Sequence, residues 1–157
     1  MQEHLLEFSV SKTLRVSNAA VWDVLGDFGT EHRWTRTLKY CERDTTTVGV
    51  GTARTCVLPK PLMGRTSVRE TLVEYAPLVT LTYELDGPAG PFLQARSRWS
   101  TYALSSETTA LEVEGMFVPR NWMGRYAIWP AAKPMLRRLT RQVLNELEAY
   151  VIGAAVV

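Results

Sequence analysis

The sequence has little net charge, few cysteines and no long hydrophobic run. Its 18 basic and 16 acidic residues leave a net charge of +2, which is too small for the electrostatic footprint of a typical nucleic-acid-binding protein. No apolar run approaches the roughly 20 residues that a membrane helix needs. Glycine and proline are too few for a collagen-like or low-complexity chain. We therefore expect no nucleic-acid partner and no transmembrane segment.

The scarcity of cysteine and histidine bears on metal sites and on the compartment. Cys41 and Cys56 do not have the CxxC spacing of a metal or redox motif, and His4 and His32 have no cysteine or carboxylate at ligand spacing. The first residues lack the basic-then-apolar pattern of a secretory signal. We predict two free thiols, no metal, no cofactor and a cytoplasmic location.

Aromatic side chains, in contrast, are numerous. A chain of 157 residues predicts one domain spanning residues 1–157, and one small core seldom needs five tryptophans, six tyrosines and four phenylalanines. These rings either pack in the core or line a cavity that holds a ligand.

The hydrophobic pattern predicts a strand, a helical region, several strands and a long helix. Ser17 or Asn18 can cap a helix that ends at Gly29, and a second short helix or turn follows up to Trp34. Spacings of three and four residues predict a helix over 131–152. Turns are predicted at 59–61 and 86–91. The predicted strands cover residues 5–16, 37–44, 49–58, 65–76, 79–86, 95–104 and 109–118.

This order predicts an α+β fold. We expect a curved antiparallel β-sheet wrapped around the long C-terminal helix, with two short helices after the first strand. A single helix about 10 Å across cannot cover such a sheet, so aromatic side chains, water or a ligand must fill the remaining space. We expect the function to lie in that space.

Several segments resemble the SRPBCC superfamily, also called START-like or Bet v-type helix-grip proteins. Residues 16–28, VSNAAVWDVLGDF, resemble its strand-to-helix signature, and Trp34 resembles the tryptophan of its second helix. Residues 49–58, GVGTARTCVL, resemble the G-x-G-x-x-R strand of the bacterial polyketide cyclase/dehydrase branch, and residues 69–75 and 109–119 resemble the strands that follow. The resemblance implies the helix-grip fold, but cyclases, aromatases, lipid carriers and hormone receptors all share it.

The resemblance also implies a catalytic role for Arg54, because a matching arginine of aromatase/cyclases points into the cavity. Its guanidinium would bind a ketone oxygen and stabilise an enolate. A buried arginine needs a carboxylate partner, and we select Glu70. Tyr83 lies on the apolar face of an alternating strand, where its hydroxyl would serve as a proton donor or as an anchor for the ligand. If Arg54 lies on the convex face instead, it meets solvent.

Aromatic residues are the candidates for ligand binding. Trp34 either lines the entrance or plugs the core. In the 95–104 strand a slip of one residue exchanges the two faces, so Trp99 and Tyr102 are both candidates. Residues 119–130 are typical of a mobile aromatic lid or of a connector packed beneath the sheet. The full candidate set is Trp34, Trp99, Tyr102, Phe117, Trp122, Tyr126 and Trp129.

These features favour a protein that binds a hydrophobic, aromatic or polyketide-like small molecule and cyclises, aromatises or dehydrates it without a cofactor. A non-catalytic carrier or sensor of a lipid or quinone-like ligand would need the same cavity. A third hypothesis is an interaction module, in which the helix residues Lys133, Arg137, Arg138 and Arg141 bind an anionic partner; these cations are otherwise a solvated face. The chain is compatible with a monomer or a homodimer.

Overall fold

One antiparallel sheet of seven strands forms the body of the computed structural model, which describes residues 5–62 and 64–155. The order across the sheet is β1-β7-β6-β5-β4-β3-β2, so β2 to β7 form a meander and β1 joins it beside β7. The strands are β1 (Leu6–Leu14), β2 (Tyr40–Arg43), β3 (Ala53–Leu62), β4 (Arg65–Ala76), β5 (Thr80–Leu85), β6 (Phe92–Ala103) and β7 (Thr109–Pro119).

Two α-helices complete the fold, α1 (Asn18–Leu25) and α2 (Trp129–Ala155). The Ser17 hydroxyl accepts a hydrogen bond from the Ala20 N–H and caps α1. The helix ends at Leu25 and not at Gly29 as predicted. Gly29 lies in the following turn, where its φ of +100° redirects the chain. The predicted second helix is a single 3-10 turn, Glu31–Arg33.

The long helix begins earlier and ends later than the predicted range 131–152. A π-helical turn, Gly124–Ile128, leads directly into α2, and Pro134 lies inside the helix. Further along, Leu144, Leu147 and Val151 are buried in the core. No helix within 5–62 and 64–155 is long and apolar enough to cross a membrane.

The segment 59–61, predicted as a turn, belongs to β3. The pairing of β3 with β4 is irregular between Val57 and Leu62, and β2 pairs with β3 only as far as Val57. Pro59 and Pro61 therefore lie where no regular ladder hydrogen bond is required of them. The chain turns instead between Leu62 and Arg65.

The register of β6 decides between the two faces that the sequence left open. Trp99 and Thr101 point inward and are buried, and the indole N–H of Trp22 donates to the Thr101 hydroxyl at 2.8 Å. Tyr102 is 57% exposed on the opposite face. Because side chains alternate along a strand, Tyr102 faces away from Trp99. This placement corrects the prediction that Tyr102 binds the ligand.

The two cysteines form a disulfide, so the prediction of free thiols is wrong. The antiparallel register of β2 and β3 places Cys41 directly opposite Cys56, with 4.2 Å between their Cα atoms. The Cys41 N–H donates to Nδ1 of His32, so this is a non-hydrogen-bonded pair, in which side chains approach closely. A spacing of 15 residues along the chain carried no sign of this pairing.

Candidate functional site

A cavity of about 550 Å³ lies between the sheet and the first half of α2. Its volume falls within the range of small-molecule sites in proteins. The helix contributes mainly apolar side chains and one hydroxyl, from Leu136, Leu139, Thr140 and Val143. Aromatic rings supply much of the opposite wall, namely Phe28, Trp34, Tyr83, Phe92, Trp99 and Phe117.

Arg54 is the buried charged group of this wall, with 5% of its side chain exposed. The pairing of β3 with β4 places Arg54 directly opposite Glu70. One Glu70 oxygen, Oε2, accepts from Nε at 2.7 Å and lies 2.6 Å from Nη2. Both residues border the cavity. The structure thus brings the predicted arginine and its predicted carboxylate partner together.

A second carboxylate, Glu31, also contacts Arg54, and sequence reasoning did not find it. Its Oε1 lies 2.5 Å from Nη1 of Arg54, and its oxygens accept the Gly29 N–H at 2.9–3.1 Å. Glu31 lies in the 3-10 turn, far from β3 along the chain. No pattern in the sequence linked Glu31 to Arg54, because the contact depends on how the turn after α1 packs beside β3.

Two aromatic rings enclose the guanidinium. The carbon at its centre lies 4.3 Å from the ring centroid of Phe28 and 4.5 Å from that of Tyr83. Rings at these distances attract a cation through their negative faces. Arg54 is therefore fixed in position by two carboxylates at its edges and two rings over its faces.

The charges around Arg54 set the protonation of the site. Burial alone would lower the pKa of Arg54, but the negative charges of Glu31 and Glu70 outweigh it and raise the pKa, so the guanidinium stays charged. Burial is also the main cause that raises the pKa of Tyr83, and the Glu70 charge adds to it. Arg54, Ser97 and Trp99 oppose this shift without cancelling it. Tyr83 is therefore a neutral phenol at neutral pH.

The arrangement leaves hydrogen-bond donors for a ligand. A guanidinium has five N–H groups, and within the described chain the two carboxylates engage three nitrogens of Arg54 with one contact each. Two N–H groups remain for an acceptor such as a carbonyl oxygen. The Tyr83 hydroxyl can donate or accept. The polar end of the cavity therefore suits an oxygen-bearing ligand, while the other walls suit its apolar part.

The predicted site residues divide into two groups. Trp34, Trp99 and Phe117 border the cavity together with Arg54, Glu70 and Tyr83. Trp129 is buried behind the wall, with its ring centroid 5.3 Å from that of Phe117. Trp122 and Tyr126 are 69% and 72% exposed. The structure does not place Tyr102, Trp122, Tyr126 or Trp129 on the cavity, and the closing of a lid over a ligand stays a prediction.

Three residues close to Arg54 have side chains of a type that binds metal ions. Within the described residues, ligand atoms of Glu31, Cys41 and Cys56 lie within 4.8 Å of one another. The two sulfurs are bonded to each other, and Glu31 is paired with Arg54. In this state the donors are occupied, and the adjacent guanidinium opposes a cation.

Comparison with known proteins identifies a family and several structures of similar fold. A family model described as "Polyketide cyclase / dehydrase and lipid transport" matches residues 6–151. The solved structure of the Zhui aromatase/cyclase from Streptomyces sp. R1128 is similar with a TM-score of 0.74, at 16% identity, over 94% of each chain. XoxI from Bacillus cereus has a TM-score of 0.75 at 16% identity, over 95% of this chain and 97% of its own.

A third structure, of an uncharacterized protein from Bacillus thuringiensis, has a TM-score of 0.71 at 19% identity, over 94% of this chain and 99% of its own. At these identities the likeness concerns the fold, a curved antiparallel sheet with a long C-terminal helix. No curated protein sequence matches the chain significantly.

Proposed function

The chain belongs to the polyketide cyclase/dehydrase and lipid transport family, and from this premise we propose that its cavity binds a hydrophobic, aromatic or polyketide-like small molecule. The observation that carries this proposal is Arg54, a buried and charged guanidinium held on the cavity wall between two carboxylates. The apolar walls would hold the carbon skeleton of the ligand. Arg54 and Tyr83 would bind its oxygen atoms.

We further propose that the site cyclises or dehydrates such a ligand without a cofactor. Glu70 would accept a proton from a carbon between two carbonyl groups, while the remaining N–H groups of Arg54 hold the enolate oxygen. The carbon would then attack another carbonyl of the same chain, and Tyr83 would protonate the new alkoxide and regain a proton from Glu70. Loss of that hydroxyl with a neighbouring proton releases water, so no oxidant or reductant is needed.

The alternative function is a non-catalytic carrier or sensor of a lipid or quinone-like ligand. It uses the same cavity and needs no proton transfer. The mostly apolar lining along α2 favours it, and the family description includes lipid transport beside cyclisation. The two functions differ in whether the bound molecule is converted.

A linear tetraketide N-acetylcysteamine thioester is a probe that separates them. If the site is catalytic, the protein accelerates the formation of cyclised products, measured by liquid chromatography and mass spectrometry. Arg54→Gln should lower the rate by about 100-fold or more, as loss of an oxyanion donor does. Arg69→Gln is the matched control, because Arg69 lies on the neighbouring strand with its side chain 50% exposed.

Circular dichroism of both variants shows whether they are folded, and Tyr83→Phe provides a second test that keeps the ion pairs. Calorimetric binding of the thioester without any acceleration would assign the carrier function. If the protein neither binds the thioester nor accelerates its cyclisation, both proposals are rejected.

The cytoplasmic location and the monomeric or homodimeric state also remain proposals. Disulfides persist in oxidising compartments and are rare in the cytoplasm, so the Cys41–Cys56 disulfide counts against a cytoplasmic location, in which both residues should be thiols. Alkylation of the protein in freshly lysed cells, followed by mass spectrometry, tests the location. Sedimentation velocity gives the oligomeric state.

A further inference from the structure

One segment of the chain carries charge of a single sign. Between Glu114 and Glu146 there are six of the 18 basic residues and none of the 16 acidic residues. The rest of the chain has 12 basic against 16 acidic residues and is net negative. We refer to residues 115–145 as the basic segment. Its cations are Arg120, Arg125, Lys133, Arg137, Arg138 and Arg141.

The same segment exposes large apolar side chains. Trp122 and Tyr126, two of the predicted rings that do not border the cavity, are among the most exposed large hydrophobic residues of the described chain. Four further apolar side chains are also exposed on this segment, namely Met123, Ile128, Met135 and Leu139. Exposed apolar patches that are rimmed by polar residues mark protein or membrane interaction sites.

The second half of α2 provides a comparison within the same helix. Its exposed positions include Gln142 and Asn145, which are polar, and Ala149, which is small. Within the described part of the helix, Tyr150 is the only large hydrophobic side chain exposed beyond Arg141. In the first half the exposed apolar positions are Pro130, Ala131, Pro134, Met135 and Leu139. Among large hydrophobic side chains, α2 exposes Met135 and Leu139 within the basic segment and Tyr150 beyond it, so the contrast rests mainly on the residues that precede the helix, Trp122, Met123, Tyr126 and Ile128.

The exposed apolar surface reaches the cavity. Leu139 is 40% exposed and also borders the cavity, together with Leu136 and Thr140 from the same stretch. On the sheet side, Lys60 and Arg65 add two cations to the cavity wall. A partner bound to the basic segment would therefore lie beside the cavity.

We propose that the basic segment is a docking surface for an anionic lipid membrane. Cations attract an anionic surface, and Trp, Tyr and Met side chains insert into the apolar boundary beneath the headgroups. A second copy of the chain fits less well, because a two-fold contact would bring the exposed cations of two basic segments, Arg120, Arg138 and Arg141, towards each other. An acidic protein would match the charge as well, and it is the occupant that a failure of vesicle binding would favour. This surface goes beyond the ligand-binding function proposed above and does not depend on it.

Flotation with large unilamellar vesicles tests the proposal. The full-length protein should bind vesicles of phosphatidylcholine with about 30% phosphatidylglycerol and bind pure phosphatidylcholine far less, and binding should fall as salt is raised. The variants Trp122→Ser/Tyr126→Ser and Arg138→Glu/Arg141→Glu should each bind at least about tenfold more weakly. Tyr102→Ser/Leu104→Ser is the matched control, since these side chains are 57% and 60% exposed at the end of β6.

Thermal melting of all variants excludes unfolding as the cause of a loss. Absence of wild-type binding to the anionic vesicles, or an equal loss in the Tyr102→Ser/Leu104→Ser control, would overturn the proposal. A wild-type dimer in sedimentation velocity that Trp122→Ser/Tyr126→Ser converts to a monomer would reassign the surface to self-association. If Trp122→Ser/Tyr126→Ser retains vesicle binding but no longer binds 1-naphthol, a small aromatic probe of the cavity, the two rings would be reassigned to a lid.

Discussion

The two halves of α2 face the same sheet but are packed differently. In the second half, Leu144 and Leu147 have no exposed surface and belong to a continuous core with Val21 and Trp22 of α1. In the first half, Leu136 and Leu139 border a cavity of about 550 Å³. The difference follows from the layer opposite, because α1 contributes Val21, Trp22 and Leu25 to the core, and of these only Leu25, its last residue, borders the cavity.

Stability and ligand binding are therefore separated along one helix. The filled half should be sensitive to loss of volume, as close-packed cores are. The open half should tolerate loss of volume and be sensitive to charge, because Arg54, Glu31 and Glu70 meet there. The following predictions test this separation, beginning with the largest expected effect.

Removal of the Arg54 charge should have the largest effect. Arg54→Met leaves Glu31 and Glu70 close together without a cation, which should cost about 3–5 kcal/mol of unfolding free energy, measured by urea denaturation. Combining Arg54→Met with Glu31→Gln and Glu70→Gln removes all three charges and should restore most of the loss. If the triple variant is no more stable than Arg54→Met, ion pairing does not explain the loss.

A pair of leucine substitutions in α2 compares the two halves directly. Leu147→Ala should cost about 2–5 kcal/mol, because it opens a void in a filled core. Leu136→Ala, at the existing cavity, should cost less than about 1.5 kcal/mol, because only partly buried area is lost. Equal costs, measured as urea unfolding free energies, would show that the first half is as tightly filled as the second.

Reduction of the disulfide tests the edge of the sheet next to the site. Loss of the Cys41–Cys56 link should lower the unfolding free energy by about 3 kcal/mol, since the bond closes a loop of about 15 residues. Melting curves with and without dithiothreitol measure this effect. Cys41→Ser/Cys56→Ser is the control and should not respond to the reductant. A wild-type protein that melts identically in both conditions would contain no such link.

The titration of Tyr83 is the smallest predicted effect. Burial and the Glu70 charge raise its pKa above the ordinary value of 10.0, so the folded state prefers the neutral phenol. The associated stability is fully present below about pH 10 and is lost as the pH rises through the folded pKa. Wild type should therefore lose more stability above about pH 10 than Tyr83→Phe, whereas Tyr102→Phe should behave as wild type. Identical alkaline profiles for wild type and Tyr83→Phe would contradict the burial of this hydroxyl.

The sequence was sufficient for the architecture, because alternation and helical spacing are local signals. Strand β4 has the predicted bounds 65–76, and Ser17 caps α1 as its residue type suggests. The resemblance to a known family also indicated Arg54, and the need of a buried cation for an anion led to Glu70. The fold and one ion pair of the site could thus be predicted from the sequence.

Contacts that depend on tertiary packing could not be predicted from the sequence. Glu31 meets Arg54, and Cys41 meets Cys56, only because the turn after α1 and strand β2 pack beside β3. The exposure of Trp122 and Tyr126 likewise depends on how the connector meets α2, since a lid and a docking surface share the same composition. Aromatic residues in a connector therefore did not indicate which surface they would contact.

Binding of 1-naphthol, an apolar aromatic ring with one hydroxyl, tests the cavity most directly. Isothermal titration calorimetry should show one molecule bound per chain, with Ala95→Trp abolishing binding because Ala95 borders the cavity and an indole would fill it. Ala103→Trp, at the exposed end of the same strand, should bind as wild type does. Absence of saturable binding by the wild type, or undiminished binding by Ala95→Trp, would contradict a ligand cavity between the sheet and the first half of α2.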